Sequence, residues 1–281
     1  MSQPILEEHL AKVAQAFDRK ARLYDQFGEG HPNLMRMRAR VRQRVLACLP
    51  AGGKILEINA GTGEDALYFA RLGYSVLATD LAPAMVKQIQ AKIAGEDLAG
   101  RIAARLCSFT QLDQIEDAPY QLVFSNMGGL NCIPNLQPVA RQLPRLLVPG
   151  GYLVWVIMPK FCLWELAAIL LGDLQTARRR WYKNSVPAHV EGVEFITSYH
   201  SPEAVLVALG PEFKLIDLQG LSVFTPPADH KKFALRRLRL FKALVWLDDR
   251  LAPKPPFNRW GDFYILTAQY QGAGAPDKRK V

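Results

Sequence analysis

Long apolar segments are missing from this chain of 281 residues. The longest candidates, Leu163–Leu171 and Leu238–Leu247, are too short or carry charge, whereas a membrane-spanning helix needs about 18 apolar residues. The first residues, MSQPILEEHL, include acids and lack the basic-then-apolar order of a signal peptide. The four cysteines sit apart, form no CxxC pair and have no histidine close by in the sequence, so they indicate neither a disulfide framework nor a metal site. We expect a cytoplasmic protein with reduced thiols.

Positive charge is plentiful and unevenly distributed. The formal net charge is +9, in a composition (49% hydrophobic, 22% charged) that is typical of a globular protein. Solvated helix faces explain most basic clusters, and attraction to nucleic acid, anionic lipid or an acidic substrate is the alternative. The clusters are Arg36–Arg44, Arg178–Lys183, His230–Lys242 and Lys278–Lys280.

Short apolar runs alternate with amphipathic helices after residue 54, and this pattern predicts a parallel sheet covered on both faces. Helices with a break near Gly28–Pro32 are predicted over residues 1–50. The predicted strands are Ile55–Ile58, Tyr74–Thr79, Ile102–Cys107, Gln121–Phe124, Tyr152–Met158, Glu194–Tyr199, Phe213–Leu218 and Phe263–Tyr270. The predicted helices are Glu64–Leu72, Pro83–Ala94, Leu136–Leu147, Phe161–Leu171, one that begins at Pro202 with Ser201 as its cap, and a basic one within Lys231–Leu251.

The segment KILEINAGTGEDALYFA, residues 54–70, is the most informative one. A strand ends in Glu57, and the turn that follows contains Gly61 and Gly63. Glycine lets the backbone approach a ligand closely and adopt a positive φ. Nineteen residues after Gly61 the second strand ends in Asp80, whose carboxylate can accept both hydroxyls of a ribose. This spacing predicts a nucleoside-containing ligand at the carboxyl ends of the first two strands.

Two cofactors fit this skeleton. Gly61, Gly63 and Ala66 satisfy the G-x-G-x-x-A fingerprint of NAD-binding proteins. Glu57 stands against NAD, because a carboxylate pointing into the turn would repel a pyrophosphate but suits a ligand with an ammonium and a sulfonium group. The dinucleotide motif also usually opens its domain, whereas about fifty residues precede it here. These points favour S-adenosylmethionine (SAM).

With these residues the chain resembles the class I SAM-dependent methyltransferases over about residues 10–270. It is most similar to the small-molecule branch that contains the ubiquinone- and menaquinone-pathway enzymes. That family's motif E/D-x-G-x-G-x-G is matched by Glu57, Gly61 and Gly63, with Asn59 in place of the first glycine. LLVPGGYLVW (146–155) matches the turn before the fifth strand, and AFDRKARLYD (16–25) resembles an element that closes over the cofactor.

The resemblance also implies a cofactor site. Asp80 would bind the ribose, while Leu81 and Met85 would flank the adenine. Ser108 stands near the position where many relatives have an acid that binds the adenine amine. The implied cofactor-binding residues are Tyr24, Glu57, Asn59, Ala60, Gly61, Thr62, Gly63, Asp80, Leu81, Met85, Ser108, Phe109, Ser125, Asn126 and Met127.

The mechanism that the resemblance implies is an in-line displacement in which the enzyme aligns the acceptor and the methyl group in a dry pocket, without a metal. The acceptor atom can be oxygen, nitrogen or carbon, and a general base is needed only if the acceptor is a poorly acidic hydroxyl or a carbon acid. The catalytic candidates are His200, Asn131 and Tyr24, with helix capping, a turn and helix packing as their respective structural alternatives. Trp181 and Tyr182 are candidates for lining the acceptor pocket.

We therefore predict an α/β fold with a Rossmann-like, seven-stranded, mostly parallel sheet, helices on both faces and an antiparallel final strand. An N-terminal helical cover (1–50) precedes the SAM-binding core (51–158). A lid inserted after the fifth strand (159–212) would cover the substrate. The rest of the sheet with the basic helix (213–271) and a disordered tail (272–281) would follow.

Several functions and partners stay open at this point. The leading one is methyl transfer to a small molecule that is lipophilic or acidic. A nucleic-acid methyltransferase is disfavoured, because residues 125–128 read Ser-Asn-Met-Gly where such enzymes often carry Asn/Asp-Pro-Pro-Tyr. An NAD(P)-dependent oxidoreductase and a SAM-binding partner subunit without activity are the other rivals. The basic helix within Lys231–Leu251 either docks on the sheet or contacts a membrane surface that supplies the acceptor.

Overall fold

The computed structural model describes residues 3–98, 100–167, 174, 180 and 185–273. The strands are β1 (Lys54–Ile58), β2 (Ser75–Asp80), β3 (Ile102–Leu106), β4 (Tyr120–Ser125), β5 (Leu147–Ile157), β6 (Ser185–Val190), β7 (Val193–Ser198), β8 (Phe213–Leu221) and β9 (Phe263–Tyr270). Seven of them form one sheet in the order β3-β2-β1-β4-β5-β9-β8, and β6 and β7 form a separate hairpin. The first five strands are parallel, and β9 pairs antiparallel with both β5 and β8. The predicted fold class is confirmed.

Helices cover both faces of this sheet. They are α1 (Gln3–Lys20), α2 (Tyr24–Gly28), α3 (Pro32–Leu46), α4 (Glu64–Arg71), α5 (Pro83–Ala94), α6 (Gln137–Ala140), α7 (Leu143–Leu146), α8 (Leu163–Ala167), α9 (Pro202–Leu209), α10 (Lys231–Arg236) and α11 (Leu238–Leu251). Among the described residues no helix is long and apolar enough to cross a membrane. Ser201 caps α9 as predicted, accepting a hydrogen bond from the Ala204 N–H, with Pro202 in the first turn.

The two-residue period of the strands divides the core into two layers. In β1, Leu56 and Ile58 face a cluster that includes α7 and α9, whereas Ile55 faces a cluster with α3 and α4. Successive side chains of a strand point to opposite faces, so a strand buried on both sides has a continuous apolar sequence. Glu57 shares its face with Ile55, and this places a carboxyl group beside apolar side chains at the carboxyl end of β1.

Two local predictions were wrong, and one strand was not predicted. The single helix Leu136–Leu147 is two short helices, α6 and α7, because Pro144 has no N–H for the hydrogen bond that a continuous helix requires there. The predicted basic helix is interrupted at Arg237, between α10 and α11. The strand predicted at Glu194–Tyr199 is β7, and its hairpin partner β6 was not predicted.

Some sequence predictions lie wholly or partly outside the described residues. These are Trp181 and Tyr182, the part of the helix Phe161–Leu171 after Ala167, and the tail after Ala273. They stay predictions, as do the proposed domain boundaries.

Candidate functional site

The turn after β1 is built from left-handed backbone conformations. Asn59, Gly61 and Gly63 have φ of 51°, 58° and 80°. Asparagine tolerates this region better than most residues with a side chain, which is why Asn59 can stand where the family motif has glycine. Its Nδ2 donates to the Ser125 hydroxyl at the end of β4. A Cβ at Gly129 would come within 2.6 Å of Nδ2, so Gly129 leaves the room that the Asn59 side chain needs.

Asp80 connects the ends of the first two strands. Its Oδ2 accepts the Gly61 N–H at 2.8 Å, and its Oδ1 accepts the Ala82 N–H at 2.9 Å. Burial raises the pKa of Asp80 to about 6, although these two N–H groups and that of Leu81 favour the ionised form. Each carboxylate oxygen retains a further lone pair, so the group can still accept hydroxyl donors from a ligand.

Tyr24 lies over the glycine turn. A Cβ at Gly61 would be 3.5 Å from the tyrosine ring, so the ring and the backbone of the turn are in close contact. The neighbouring Asp25 accepts a hydrogen bond from the Thr62 hydroxyl and pairs with Lys92 of α5 at 2.8 Å. These contacts fix α2 on the turn.

Two cavities adjoin each other next to α2. The smaller one, with about 610 Å³ of empty space partly open to solvent, extends from the glycine turn to Phe109. The larger one, with about 1820 Å³, lies between α2, α3 and the segment at Ala228. Tyr24 and Met127 line both. The two spaces therefore share a wall made of one phenol ring and one thioether side chain.

A buried ion cluster lies between the turn and α3. The Asp65 carboxylate accepts from Arg38 Nη1 at 2.5 Å, from Arg42 Nε at 2.6 Å and from Asn126 Nδ2 at 2.8 Å. Burial by itself would raise the pKa of Asp65, but the two guanidinium charges and the Asn126 amide hold it below its usual range. The pKa of Glu57 is raised well above its ordinary value, first by burial and then by the negative charge of Asp65.

Residues 55–151 match the family model described as a methyltransferase domain. The chain carries a SAM-dependent methyltransferase domain. A malonyl-[acyl-carrier protein] O-methyltransferase of Pectobacterium atrosepticum is 27% identical over 157 residues, which are 55% of this chain and 56% of that protein. A ubiquinone biosynthesis O-methyltransferase of Xanthomonas oryzae is 33% identical over 103 residues, 37% of this chain and 42% of the relative. The chain thus spans about half the length of these curated relatives.

Solved structures share the fold of the methyltransferase domain. The CcbJ methyltransferase from Streptomyces caelestis has a TM-score of 0.60 at 16% identity, covering 91% of this chain and 97% of that one. The [4+2]-cyclase SpnF has a TM-score of 0.63 at 17% identity, covering 93% and 96%. At these identities the likeness concerns the fold alone, and the cyclase illustrates why fold does not decide the reaction.

The residues of the methyltransferase domain fit SAM. Oε2 of Glu57 is buried and has no hydrogen-bond partner among the described residues. An ammonium group of a ligand beside it would favour the ionised carboxylate and donate to this oxygen. Asp80 offers acceptors for ribose hydroxyls, and the apolar side chains around it suit an adenine ring. Nine of the predicted cofactor-binding residues line the smaller cavity: Tyr24, Asn59, Gly61, Asp80, Leu81, Met85, Phe109, Asn126 and Met127.

The other six predicted cofactor-binding residues lie behind or beside these. Ala60, Thr62 and Gly63 belong to the turn, Glu57 lies at the end of β1, and Ser125 holds Asn59. The remaining one, Ser108, is buried, and its hydroxyl is engaged with the Thr110 hydroxyl at 2.8 Å and the Thr110 N–H at 3.2 Å. Contact with the cofactor stays a prediction for all of them.

Two of the three catalytic candidates are not among the residues lining either cavity. The His200 ring is buried, with Nε2 2.9 Å from the Ile133 carbonyl oxygen, and burial lowers its pKa. Asn131 donates to the carbonyls of Met158 and Ser198 at 3.1 and 2.6 Å and accepts the Met158 N–H at 2.9 Å. Both side chains are thus engaged with backbone groups, His200 without capping a helix, and their catalytic roles stay predictions, whereas Tyr24 lies at the shared wall.

The first helix contributes lining residues that the sequence reasoning missed. Val13, Ala14 and Phe17 of α1 line the smaller cavity, as do Ala82, Gly128, Gly129 and Cys132. An amphipathic pattern indicates that α1 buries one face, but it cannot tell which part of the molecule that face meets. The resemblance of residues 16–25 to a cofactor-covering element was the available signal.

Proposed function

We propose that the protein transfers the methyl group of SAM to the oxygen of a small-molecule acceptor bound in the larger cavity. The observation that carries this proposal is the wall shared by the two cavities, made of Tyr24 and Met127. A cofactor in the smaller cavity and an acceptor in the larger one would meet there and nowhere else along the described lining. Such an arrangement suits a direct in-line transfer.

Binding would rest on residues already described. Asp80 would accept the ribose hydroxyls, Glu57 would face the ammonium group, and Met85 and Phe109 would contact the adenine. SAM supplies an electrophilic methyl group on a positively charged sulfur. The chain's own contribution is to orient that group, while α1 and Tyr24 exclude water from it.

The acceptor cavity suggests what kind of molecule enters it. Leu34, Met127 and Phe263 form an apolar part of its lining, and charged side chains of both signs complete it. Its described lining contains no histidine that could serve as a base near neutral pH. We infer an acceptor with an apolar body and an oxygen that is already ionised, such as a phenolate or a carboxylate. The names of the two O-methyltransferase relatives support an oxygen acceptor.

The first experiment is titration calorimetry of the purified protein with SAM, S-adenosylhomocysteine, NADH and NADPH. We expect binding of the first two and none of the last two. Mass spectrometry would then follow S-adenosylhomocysteine formation from SAM with panels of phenolic acids and long-chain carboxylic acids. Binding of a nicotinamide cofactor instead of SAM would refute the proposal, and SAM binding without turnover on any acceptor would favour the partner-subunit alternative.

A pair of tryptophan variants tests the assignment of the larger cavity. Ala39 of α3 lines it, and Ala91 of α5 is another exposed helical alanine, which lines neither cavity. Ala39→Trp should raise the KM for the acceptor at least severalfold because it fills acceptor space, while the Kd for SAM stays unchanged. Ala91→Trp is the matched control and should alter neither value. An unchanged acceptor KM in Ala39→Trp would argue against this cavity as the acceptor site.

A further inference from the structure

The outward face of α10 and α11 combines exposed apolar side chains with cations. Leu235, Leu238, Leu240 and Trp246 are 60%, 56%, 48% and 53% exposed. Residues 231–247 contain no acid. The six cations of this stretch are Lys231, Lys232, Arg236, Arg237, Arg239 and Lys242. We call these four apolar residues and six cations the basic surface.

The inner face of α11 is already occupied. Phe241 is buried, and Asp248 accepts hydrogen bonds from the N–H groups of Val223 and Phe224 at 3.1 and 2.8 Å. Arg36 of α3 pairs with Asp248 at 3.2 Å and with the adjacent Asp249 at 2.8 Å. The helix is therefore anchored through its acidic end and one aromatic ring. The basic surface takes no part in that docking.

We propose that the basic surface binds an anionic membrane surface. Helices that lie at a membrane interface place leucine and tryptophan at the acyl boundary and lysine and arginine among the headgroups, and this is the composition found here. Phosphates of a nucleic acid would satisfy the cations but not the four exposed apolar side chains, which that partner would leave in water. A lipid surface accounts for both the cations and the exposed apolar side chains.

The basic surface begins at the edge of the larger cavity. Lys231 Nζ donates to the Glu29 carbonyl, and both Glu29 and Ala228 line that cavity. If the cavity binds the acceptor, as proposed above, docking at the basic surface would bring its entrance close to the lipid headgroups. This last consequence rests on the proposed function, whereas membrane binding itself does not.

Cosedimentation of the full chain with lipid vesicles tests the proposal. Vesicles of phosphatidylcholine alone are compared with vesicles of phosphatidylcholine mixed with phosphatidylglycerol. We expect binding to the anionic vesicles only, weakening as salt is raised, because headgroup attraction is screened. The triple variant R236Q/R237Q/R239Q should lose on the order of a hundredfold in partition coefficient. L238S/W246S should also bind more weakly, although it keeps every cation.

A matched control removes the same charge elsewhere. K87Q/R101Q/K214Q changes three exposed cations on α5, before β3 and on β8, and should bind anionic vesicles nearly as well as the unaltered chain. Far-ultraviolet circular dichroism and the Kd for SAM establish that each variant is folded. No binding of the unaltered chain to anionic vesicles would overturn the proposal, as would equal losses in the test and control triples. Retention on a DNA duplex without vesicle binding would replace lipid by nucleic acid.

The outcome is independent of the methyltransferase assignment. Vesicle binding is measured without SAM or acceptor, and SAM binding is measured without vesicles. A chain that binds SAM but no vesicles would refute only the inference about the basic surface. A chain that binds vesicles but not SAM would refute only the proposed function.

Discussion

The carboxylate of Asp80 and the backbone N–H of Gly61 are joined by a hydrogen bond of 2.8 Å. It links the end of β2 to the turn after β1, so that one acidic side chain both shapes the turn and lines the smaller cavity. The same residue thus stabilises the glycine turn and, under the proposed function, would present hydrogen-bond acceptors to a ribose.

Asp80→Ala should weaken SAM binding. The variant loses the acceptors for the ribose hydroxyls, a loss of about 1.5–3 kcal/mol, which corresponds to roughly a ten- to hundredfold higher Kd. Calorimetry with SAM measures the effect. Asp113→Ala, which removes an exposed carboxylate outside both cavity linings, is the control and should bind as tightly as the unaltered protein. An unchanged Kd in Asp80→Ala would disprove the role of Asp80.

SAM affinity should fall as the solution is acidified below pH 6. The pKa of Asp80 is about 6 in the ligand-free protein, and the ionised form is the better acceptor for hydroxyl donors. SAM should therefore hold Asp80 ionised and release protons when it binds near pH 6. Calorimetry in buffers with different ionisation enthalpies counts those protons. A Kd that does not vary between pH 5 and 7 would contradict this prediction, and Asp80→Asn should flatten any dependence that Asp80 causes.

Asp65→Asn should destabilise the fold by about 3–5 kcal/mol, because it leaves the Arg38 and Arg42 charges without their buried counterion. The free energy of unfolding in urea measures the loss, and Asp113→Asn provides the control. The pKa of Asp65 is lower in the folded than in the unfolded chain. Its contribution is therefore complete above the unfolded pKa and disappears as the pH falls through the lower folded value. Asp65→Asn should remove that part of the acid sensitivity.

His200→Ala should reduce stability rather than catalysis. The buried ring contacts the Ile133 carbonyl, and losing that contact costs about 1–3 kcal/mol. The free energy of unfolding and kcat per folded molecule are the two readouts, and His200→Gln, which retains a donor, should recover part of the stability. If instead kcat falls while stability and the Kd for SAM stay constant, His200 takes part in the reaction as the sequence suggested.

Local spacing made much of the sheet predictable. Alternating apolar runs indicated the strands, and the sequence distance from Gly61 to Asp80 predicted that both residues lie at the ends of neighbouring strands. The resemblance added residues that are predicted to lie near the adenine, and of these Leu81, Met85 and Phe109 line the smaller cavity. The strands and the spacing from Gly61 to Asp80 depend on short stretches of the chain, so they can be predicted from the sequence directly.

Contacts between distant segments were not predictable in the same way. Arg38 and Arg42 looked like part of a solvated basic face, yet both pair with Asp65, more than twenty residues further along the chain. Nothing in the spacing of α3 identifies its partner, because helix docking depends on the whole fold. For the same reason the sequence did not reveal that Phe17 lines a cavity or that Asn131 is fully engaged with backbone groups.

The position of β9 has a consequence for how the chain is made. This strand, Phe263–Tyr270, follows all the other described strands in sequence but lies between β5 and β8 in the sheet. A nascent chain that has emerged only as far as β8 has an unpaired edge on β5, with apolar residues such as Val154 and Val156 beside open backbone groups. Such an edge invites pairing with other chains. A ribosome that stalls before residue 263 would therefore release a product prone to aggregate, even though every residue of the glycine turn had already been synthesised.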